Sequence, residues 1–107
     1  MIANTPKPPY YAVIFTSTLK DNHEGYSETA DKIASLAKDQ DGYLGIESAR
    51  NEIGITVSYW KDLKSIKQWK ANTEHQSAQR KGNTIWYEKY QVRIAKVERD
   101  YSLGFED

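Results

Sequence analysis

Cysteine is absent from this sequence of 107 residues. Its absence excludes disulfides, metal sites built from thiolates and catalysis by a cysteine nucleophile. It is also compatible with a reducing compartment, so we expect a cytoplasmic protein. The only histidines are His23 and His75, which is too few for a multi-histidine metal site within one chain, and no Asp or Glu spacing supplies a metal motif. We therefore expect no bound metal.

An excess of charge of either sign is also missing, because 15 basic residues balance 15 acidic ones. Nucleic-acid-binding proteins usually carry a basic excess or a basic stripe, so we expect no nucleic-acid partner. No apolar run approaches the ~18 residues that a transmembrane helix needs, and residues 1–9 lack the apolar stretch of a signal peptide. We expect no membrane partner. The sequence also contains no phosphate-binding glycine-rich loop and no nucleophile elbow.

Aromatic residues, by contrast, are plentiful. They make up 12% of the chain, with eight tyrosines and three tryptophans, although the mean hydropathy is only -0.81. Disordered chains are poor in aromatics, so this composition indicates a folded chain, and its length fits one domain. The three prolines all fall within residues 1–9, which we interpret as an extended, proline-stiffened arm.

Apolar periodicity divides the remaining chain into alternating strands and helices. Asp62 is a good N-cap for the second helix, and the helical pattern weakens at Asn72 and Thr73, where we expect a kink or a break. Residues 81–83 read as a turn, and residues 100–107 as a tail that is loosely ordered or used in an interface. The predicted elements are strands 10–18, 43–50, 53–61 and 86–99, and helices 24–38 and 62–80.

This order, β-α-β-β-α-β, predicts an α+β fold of the ferredoxin-like type. Right-handed crossovers give a four-stranded antiparallel sheet with both helices on one face. The first strand is apolar on both faces, with Tyr11, Val13 and Phe15 on one and Tyr10 and Ile14 on the other. The helices cover only one face, so we expect a second copy of the chain to cover the other in a two-fold homodimer.

A set of residues spread over the second half of the chain forms a recognisable pattern: Ser58-Tyr59-Trp60, Ile66, Trp69, His75, Ala78, Gly82, Trp86-Tyr87, Tyr90, Arg93-Ile94 and Val97. With the flanking β-α-β unit, this pattern resembles the antibiotic biosynthesis monooxygenase (ABM) domain family over residues 10–99. The resemblance implies a dimeric α+β barrel. Some members oxygenate polyketide phenols or quinols without metal or flavin, and others bind and degrade haem.

The chain departs from both branches of that family. The haem-degrading branch uses an Asn on the first strand, but residues 13–17 contain none, and Gln79 is nearer than His75 to the position of its haem-ligating His. Haem would need His75 or His23 as a substitute axial ligand. In the polyketide-oxidising branch, the Asn one turn before the helix Trp corresponds to Ser65 here.

Two residues are candidate catalytic groups, Trp69 and His75. Trp69 either forms the wall of an aromatic pocket or fills the core, and His75 is either a general base of near-neutral pKa or a surface residue. The candidate substrate-binding residues are Phe15, Tyr59, Ser65, Tyr90 and Arg93.

Arg50 and Arg93 could pair with a substrate anion, or form surface ion pairs with Glu47 or Glu98. The resemblance implies a cofactor-independent monooxygenase acting on a small aromatic or quinol-like substrate. A haem-binding or haem-degrading protein and a non-enzymatic ligand-binding module are the alternatives.

Overall fold

The computed structural model describes residues 1–80 and 85–105, with side chains for all of these except residues 74–80. The four strands form one antiparallel sheet in the order β2-β3-β1-β4. The predicted ferredoxin-like order is therefore confirmed, and the predicted turn at 81–83 lies outside the described residues. The elements are β1 (Tyr10–Leu19), α1 (Tyr26–Lys38), β2 (Tyr43–Arg50), β3 (Gly54–Trp60), α2 (Leu63–Arg80) and β4 (Tyr87–Val97).

Both helices pack on one face of the sheet, as predicted. Trp60 of β3 is fully buried there, between Ala37 of α1 and Ile66 of α2. The buried indole N–H donates to Ser58 Oγ at 2.9 Å, so the largest side chain of the core leaves no polar atom unsatisfied. Strand alternation puts Tyr11, Val13, Phe15 and Ser17 of the central strand β1 on this helix-covered face.

Helix α2 begins as predicted and runs through the position of the predicted break. Asp62 caps it by accepting a hydrogen bond from the Ser65 backbone N–H at 2.8 Å. The predicted break at Asn72–Thr73 is wrong, because α2 runs without interruption to Arg80. The Thr73 hydroxyl donates to the Lys70 carbonyl at 2.9 Å, so this polar residue is satisfied inside the helix and does not end it.

The loop between α1 and β2 passes very close to the start of α2. Gly42 has a left-handed φ of 86°, and a Cβ added there would lie 2.0 Å from Ser65 Oγ. Only glycine fits both the conformation and the space. The contact fixes where α2 starts relative to the end of α1.

The opposite, helix-free face of the sheet is partly covered by the N-terminal arm. The Ala3 backbone N–H donates to Glu47 Oε2 at 3.0 Å, and the Thr5 hydroxyl donates to the Tyr10 hydroxyl at 3.0 Å. The Pro8–Pro9 peptide bond is cis. From the other end of the chain, Asp100 accepts a hydrogen bond from the Tyr10 hydroxyl at 2.5 Å.

Beyond the arm, this face presents aliphatic side chains. Ile14 pairs with Val57 across β1 and β3, and Ile55 lies next to them with 46% of its surface exposed. Among the helices that the structure describes, none is both long and apolar enough to cross a bilayer.

Candidate functional site

Among the side chains that the structure describes, those of the helices leave most of the edge strand β4 uncovered on their own side of the sheet, and Tyr26 of α1 contacts Tyr87 at its start. The helices lie against β2 and β3, at the far side of the sheet from β4. Tyr90, Val92 and Ile94 face the helix side, because they pair with Ser17, Phe15 and Val13 of β1, yet they are 50%, 43% and 52% exposed. We call the surface formed by Phe15, Tyr87, Tyr90, Val92 and Ile94 the aromatic strip.

Three rings of the aromatic strip contact one another. Phe15 stacks on Tyr90 with ring centroids 5.3 Å apart and planes 19° apart. Tyr87 meets Phe15 edge-on at 5.3 Å and Tyr90 at 5.8 Å. Because Tyr90 is half exposed while its neighbours hold its ring, it offers a flat surface on which a planar ligand can stack.

Trp69 lies on the same side of the sheet and packs into the core. Its indole stacks on Trp60 with centroids 5.7 Å apart and planes 28° apart, while part of it stays accessible. The packing interpretation of Trp69 is therefore supported. A ligand could contact only the accessible part of the Trp69 indole.

His75 belongs to α2, but its side chain lies outside the described residues, so its role as a base stays a prediction. The other histidine, His23, lies in the exposed turn before α1, with Nδ1 2.7 Å from the Lys20 carbonyl oxygen. Within residues 1–73 and 85–105, no group of three or more His, Cys, Asp or Glu side chains could hold a metal ion.

Ser65 has a structural position rather than a ligand-facing one. It is 3% exposed, and its side chain lies against Gly42. Its hydroxyl and its backbone N–H both hydrogen-bond the Asp62 carboxylate and hold the pKa of that carboxyl below its usual range. Ser65 thus contributes to the cap of α2.

Two predicted substrate-binding residues, Tyr59 and Arg93, lie on the helix-free face. Tyr59 pairs with Ala12, and Arg93 pairs with Ile14, whereas Phe15 and Tyr90 face the helices. The five predicted residues therefore do not form one site. Phe15 and Tyr90 come together in the aromatic strip, and the other three are elsewhere.

Tyr59 has its own partners on the helix-free face. Its hydroxyl donates to Glu47 Oε1 at 2.5 Å, and its ring meets Tyr10 edge-on at 5.8 Å. Burial raises the pKa of the Tyr59 phenol above its usual value, and the Glu47 carboxylate that it donates to acts in the same direction. The Tyr59 phenol is therefore neutral and already donates its hydrogen bond to Glu47, so it is not available to a ligand.

Arg50 forms a cluster with Ser17 and Tyr26, which we call the Arg50 cluster and which was not predicted from the sequence. Its Nη2 donates to Ser17 Oγ at 2.5 Å and to the Tyr26 hydroxyl at 3.3 Å, and its Nη1 donates to the Ser17 carbonyl at 3.3 Å. Arg50 does not form the alternative ion pair with Glu47, because Glu47 faces the other side of the sheet. The sequence signal for this cluster was Gly54, which lies directly opposite Arg50 in the hairpin. A glycine there leaves room for the long Arg50 side chain to cross β3.

The Arg50 cluster adjoins the aromatic strip through Tyr26 and Tyr87. Their rings meet edge-on at 5.6 Å. Burial raises the pKa of the Tyr87 phenol above its usual value, and its hydrogen bond with Tyr26 acts in the same direction. The structure therefore brings a guanidinium, two phenols and a stacked pair of rings to one end of the helix side of β1.

Comparison with known proteins gives consistent matches. The model of the family "Antibiotic biosynthesis monooxygenase" matches residues 9–81. An uncharacterized protein of Bacillus subtilis (strain 168), YqjZ, is 54% identical over 100 residues, which cover 92% of this chain and 88% of that protein.

Solved structures share the fold at low sequence identity. PA3566 of Pseudomonas aeruginosa has a TM-score of 0.67 at 18% identity, covering 90% of this chain and 99% of its own. A Nitrosomonas europaea protein described as a putative antibiotic biosynthesis monooxygenase has a TM-score of 0.67 at 14% identity, covering 88% and 94%. At these identities the likeness shows the fold alone.

Proposed function

Because this chain belongs to the antibiotic biosynthesis monooxygenase family, we propose that it is a cofactor-independent monooxygenase acting on a small aromatic or quinol-like substrate. The observation that carries the proposal is the aromatic strip. Its three mutually packed rings and two exposed aliphatic side chains suit a planar, largely apolar molecule.

The proposed chemistry needs a base, dioxygen and a surface that holds the ring. His75 takes a proton from the enol or phenol, since an imidazole of ordinary pKa is partly deprotonated at neutral pH. The resulting electron-rich anion passes one electron to dioxygen without a cofactor. Trp69 and the aromatic strip hold the ring in place for this reaction.

For anthrone, the atoms and electrons balance as follows. The anthrone radical and superoxide combine at the reacting ring carbon to give a peroxide, which recovers the proton held by the base. That carbon then loses its remaining hydrogen as the O–O bond breaks. One oxygen atom becomes the new carbonyl oxygen, and the other leaves as water with both hydrogens of the original methylene.

Oxygen uptake with anthrone tests this proposal. We expect wild-type protein to consume oxygen well above the buffer control, and His75→Ala to reduce the rate by about 10²-fold or more, because general base catalysis commonly contributes that much. His23→Ala is the matched control, since His23 lies in an exposed turn and should leave the rate unchanged. Uptake equal to that of buffer, or equal rates in both variants, would contradict the proposal.

Haem is the alternative that the family raises. Haem would need His75 or His23 as its axial ligand; the side chain of His75 lies outside the described residues, and Nδ1 of His23 lies 2.7 Å from the Lys20 carbonyl oxygen. We derive no step through haem. A shifted Soret band on titration of the protein with haem would favour this alternative.

The proposal also includes a homodimer in the cytoplasm. Ile14, Ile55 and Val57 form an aliphatic patch on the helix-free face, and a two-fold partner presenting the same patch would cover it. The lack of cysteine suits a reducing compartment.

A further inference from the structure

Arg50 is held in one position by contacts on several sides. Its guanidinium crosses directly over Gly54, where an added Cβ would lie 2.1 Å from the central guanidinium carbon. It hydrogen-bonds the Ser17 carbonyl and hydroxyl, and it lies 5.3 Å from the centroid of the Tyr26 ring. A cation held in this way loses little further freedom when it binds an anion.

The charge of this guanidinium is not neutralised by any described carboxylate. The ion pair that the described side chains form is between Lys61 and Asp41, and it does not involve Arg50. The partners of Arg50 are a carbonyl, a hydroxyl, a phenol and a ring, all neutral. They use three of the five guanidinium N–H groups, and the side chain is exposed, so an anion from solvent can reach the others.

The position of Arg50 relative to the aromatic strip is set by the sheet register. Arg50 of β2 is opposite Gly54, Gly54 is opposite Ser17, and Ser17 is opposite Tyr90. The guanidinium reaches across Gly54 to Ser17, so it ends one strand away from Tyr90, at about 5 Å between paired backbones. A substituent on a ring stacked on Tyr90 spans that distance.

We propose that Arg50 is a specificity-determining residue that binds a carboxylate carried by the aromatic ligand, while the ligand ring lies on Tyr90. The ligand class is thus an aromatic carboxylic acid. This inference rests on the proposed function for its use of the aromatic strip, and it adds the acidic group and the residue that selects it. The Tyr26 hydroxyl lies within reach of the same anion.

Calorimetric titration with two matched probes, 2-naphthoate and its neutral amide 2-naphthamide, tests the inference. We expect wild-type protein to bind the acid about tenfold more tightly than the amide, the effect of one charge-assisted hydrogen bond at an exposed site. Arg50→Gln should abolish that preference. Arg93→Gln removes the same charge from the opposite face of the sheet and should leave the preference intact.

A second variant covers the case in which Arg50→Gln fails to fold. Gly54→Ala keeps the net charge but places a methyl group where the guanidinium lies, so the flexible end of Arg50 must move. We expect it to lose most of the preference for 2-naphthoate while circular dichroism shows a folded protein. A full preference in folded Gly54→Ala, or a loss in Arg93→Gln equal to that in Arg50→Gln, would overturn the inference.

The outcomes separate this inference from the proposed function. Equal binding of the acid and the amide would overturn the role of Arg50 and leave the aromatic strip as a ring-binding surface. A tenfold preference for the acid in a protein without oxygen uptake would support Arg50 and overturn the monooxygenase proposal. Binding of neither probe would overturn the inference together with the ligand-binding role of the strip.

Discussion

The helix-free face depends on individual tyrosines that are kept neutral. Tyr59 donates to Glu47 and Tyr10 donates to Asp100, and both phenols are shielded from water by neighbouring chain. Burial is the main cause of the raised pKa of each, and the carboxylate partners add to it. A phenol that donates to a carboxylate cannot give up its proton without placing two negative charges side by side.

This arrangement predicts a loss of stability in alkaline solution. The raised pKa values mean that the folded state favours neutral phenols, so their contribution is complete below the unfolded-state value of about 10 and is lost as the pH rises above it. Ultraviolet absorbance of phenolate should show tyrosines titrating in two groups, with Tyr10, Tyr59 and Tyr87 in the later one. Titration of every tyrosine together near pH 10 would contradict this account.

The division of the predicted site between two faces could have been found from residue spacing. Tyr90 and Arg93 are an odd number of positions apart in one strand, so their side chains cannot share a face. The predicted grouping of Tyr11, Val13 and Phe15 on one face of β1 was correct. What the sequence could not supply was the register between strands, which brings Arg50 and Ser17 into one cluster through Gly54.

At the scale of elements, the contact between Gly42 and Ser65 sets the start of α2. Gly42→Ala would meet a left-handed backbone and a side chain 2.0 Å away, so we expect it to lower the free energy of unfolding by roughly 2–4 kcal/mol. Gly104 is the matched control, because it also has a positive φ of 89° but nothing within 4 Å of an added Cβ.

Chemical denaturation measures both variants. Gly104→Ala should cost at most the conformational strain of one residue, about 1–2 kcal/mol. If Gly42→Ala lowers the free energy of unfolding no more than Gly104→Ala does, the close contact with Ser65 does not contribute to stability.

The elements themselves were largely predictable because each has a clear period. Strand β2 was predicted with its observed bounds, and the apolar face of α1, from Tyr26 to Ala37, is the face turned inward. The break expected in α2 failed for a local reason. A polar, β-branched residue such as Thr73 weakens an apolar pattern without ending a helix when its hydroxyl bonds back to the preceding turn.

For the whole molecule, the proposed two-fold dimer forms through the aliphatic patch on the helix-free face, so a change in that patch tests the dimer. Ile55→Lys places a charge within the aliphatic patch, and we expect it to convert the dimer to a monomer at micromolar concentration, because a buried unpaired charge is costly. Ile53→Lys is the control, since Ile53 is 54% exposed in the hairpin turn outside the strands.

Mass measured by light scattering during size-exclusion chromatography distinguishes these states. The dimer proposal predicts twice the chain mass for wild type and Ile53→Lys, and the single-chain mass for Ile55→Lys. A monomeric wild-type protein would contradict it.

The fold as a whole followed from the sequence, whereas the shape of the site did not. Periodicity and crossover handedness are local rules, and they were sufficient for the order of strands and helices. The aromatic strip exists because the helices pack around Trp60 over β2 and β3, so that Tyr90, Val92 and Ile94 of β4 stay exposed. The periodicity of apolar residues predicts the helices and strands, but it does not predict how the helices pack on the sheet.

The central claim is that the aromatic strip supports monooxygenation, and oxygen-isotope labelling of the product tests it most directly. Wild-type protein should be incubated with anthrone under ¹⁸O₂, and the anthraquinone formed should be analysed by mass spectrometry beside a protein-free control. The account predicts product formed faster than in the control, with one ¹⁸O atom in each molecule of anthraquinone. Product formed no faster than without protein, or product that carries no label, would contradict it.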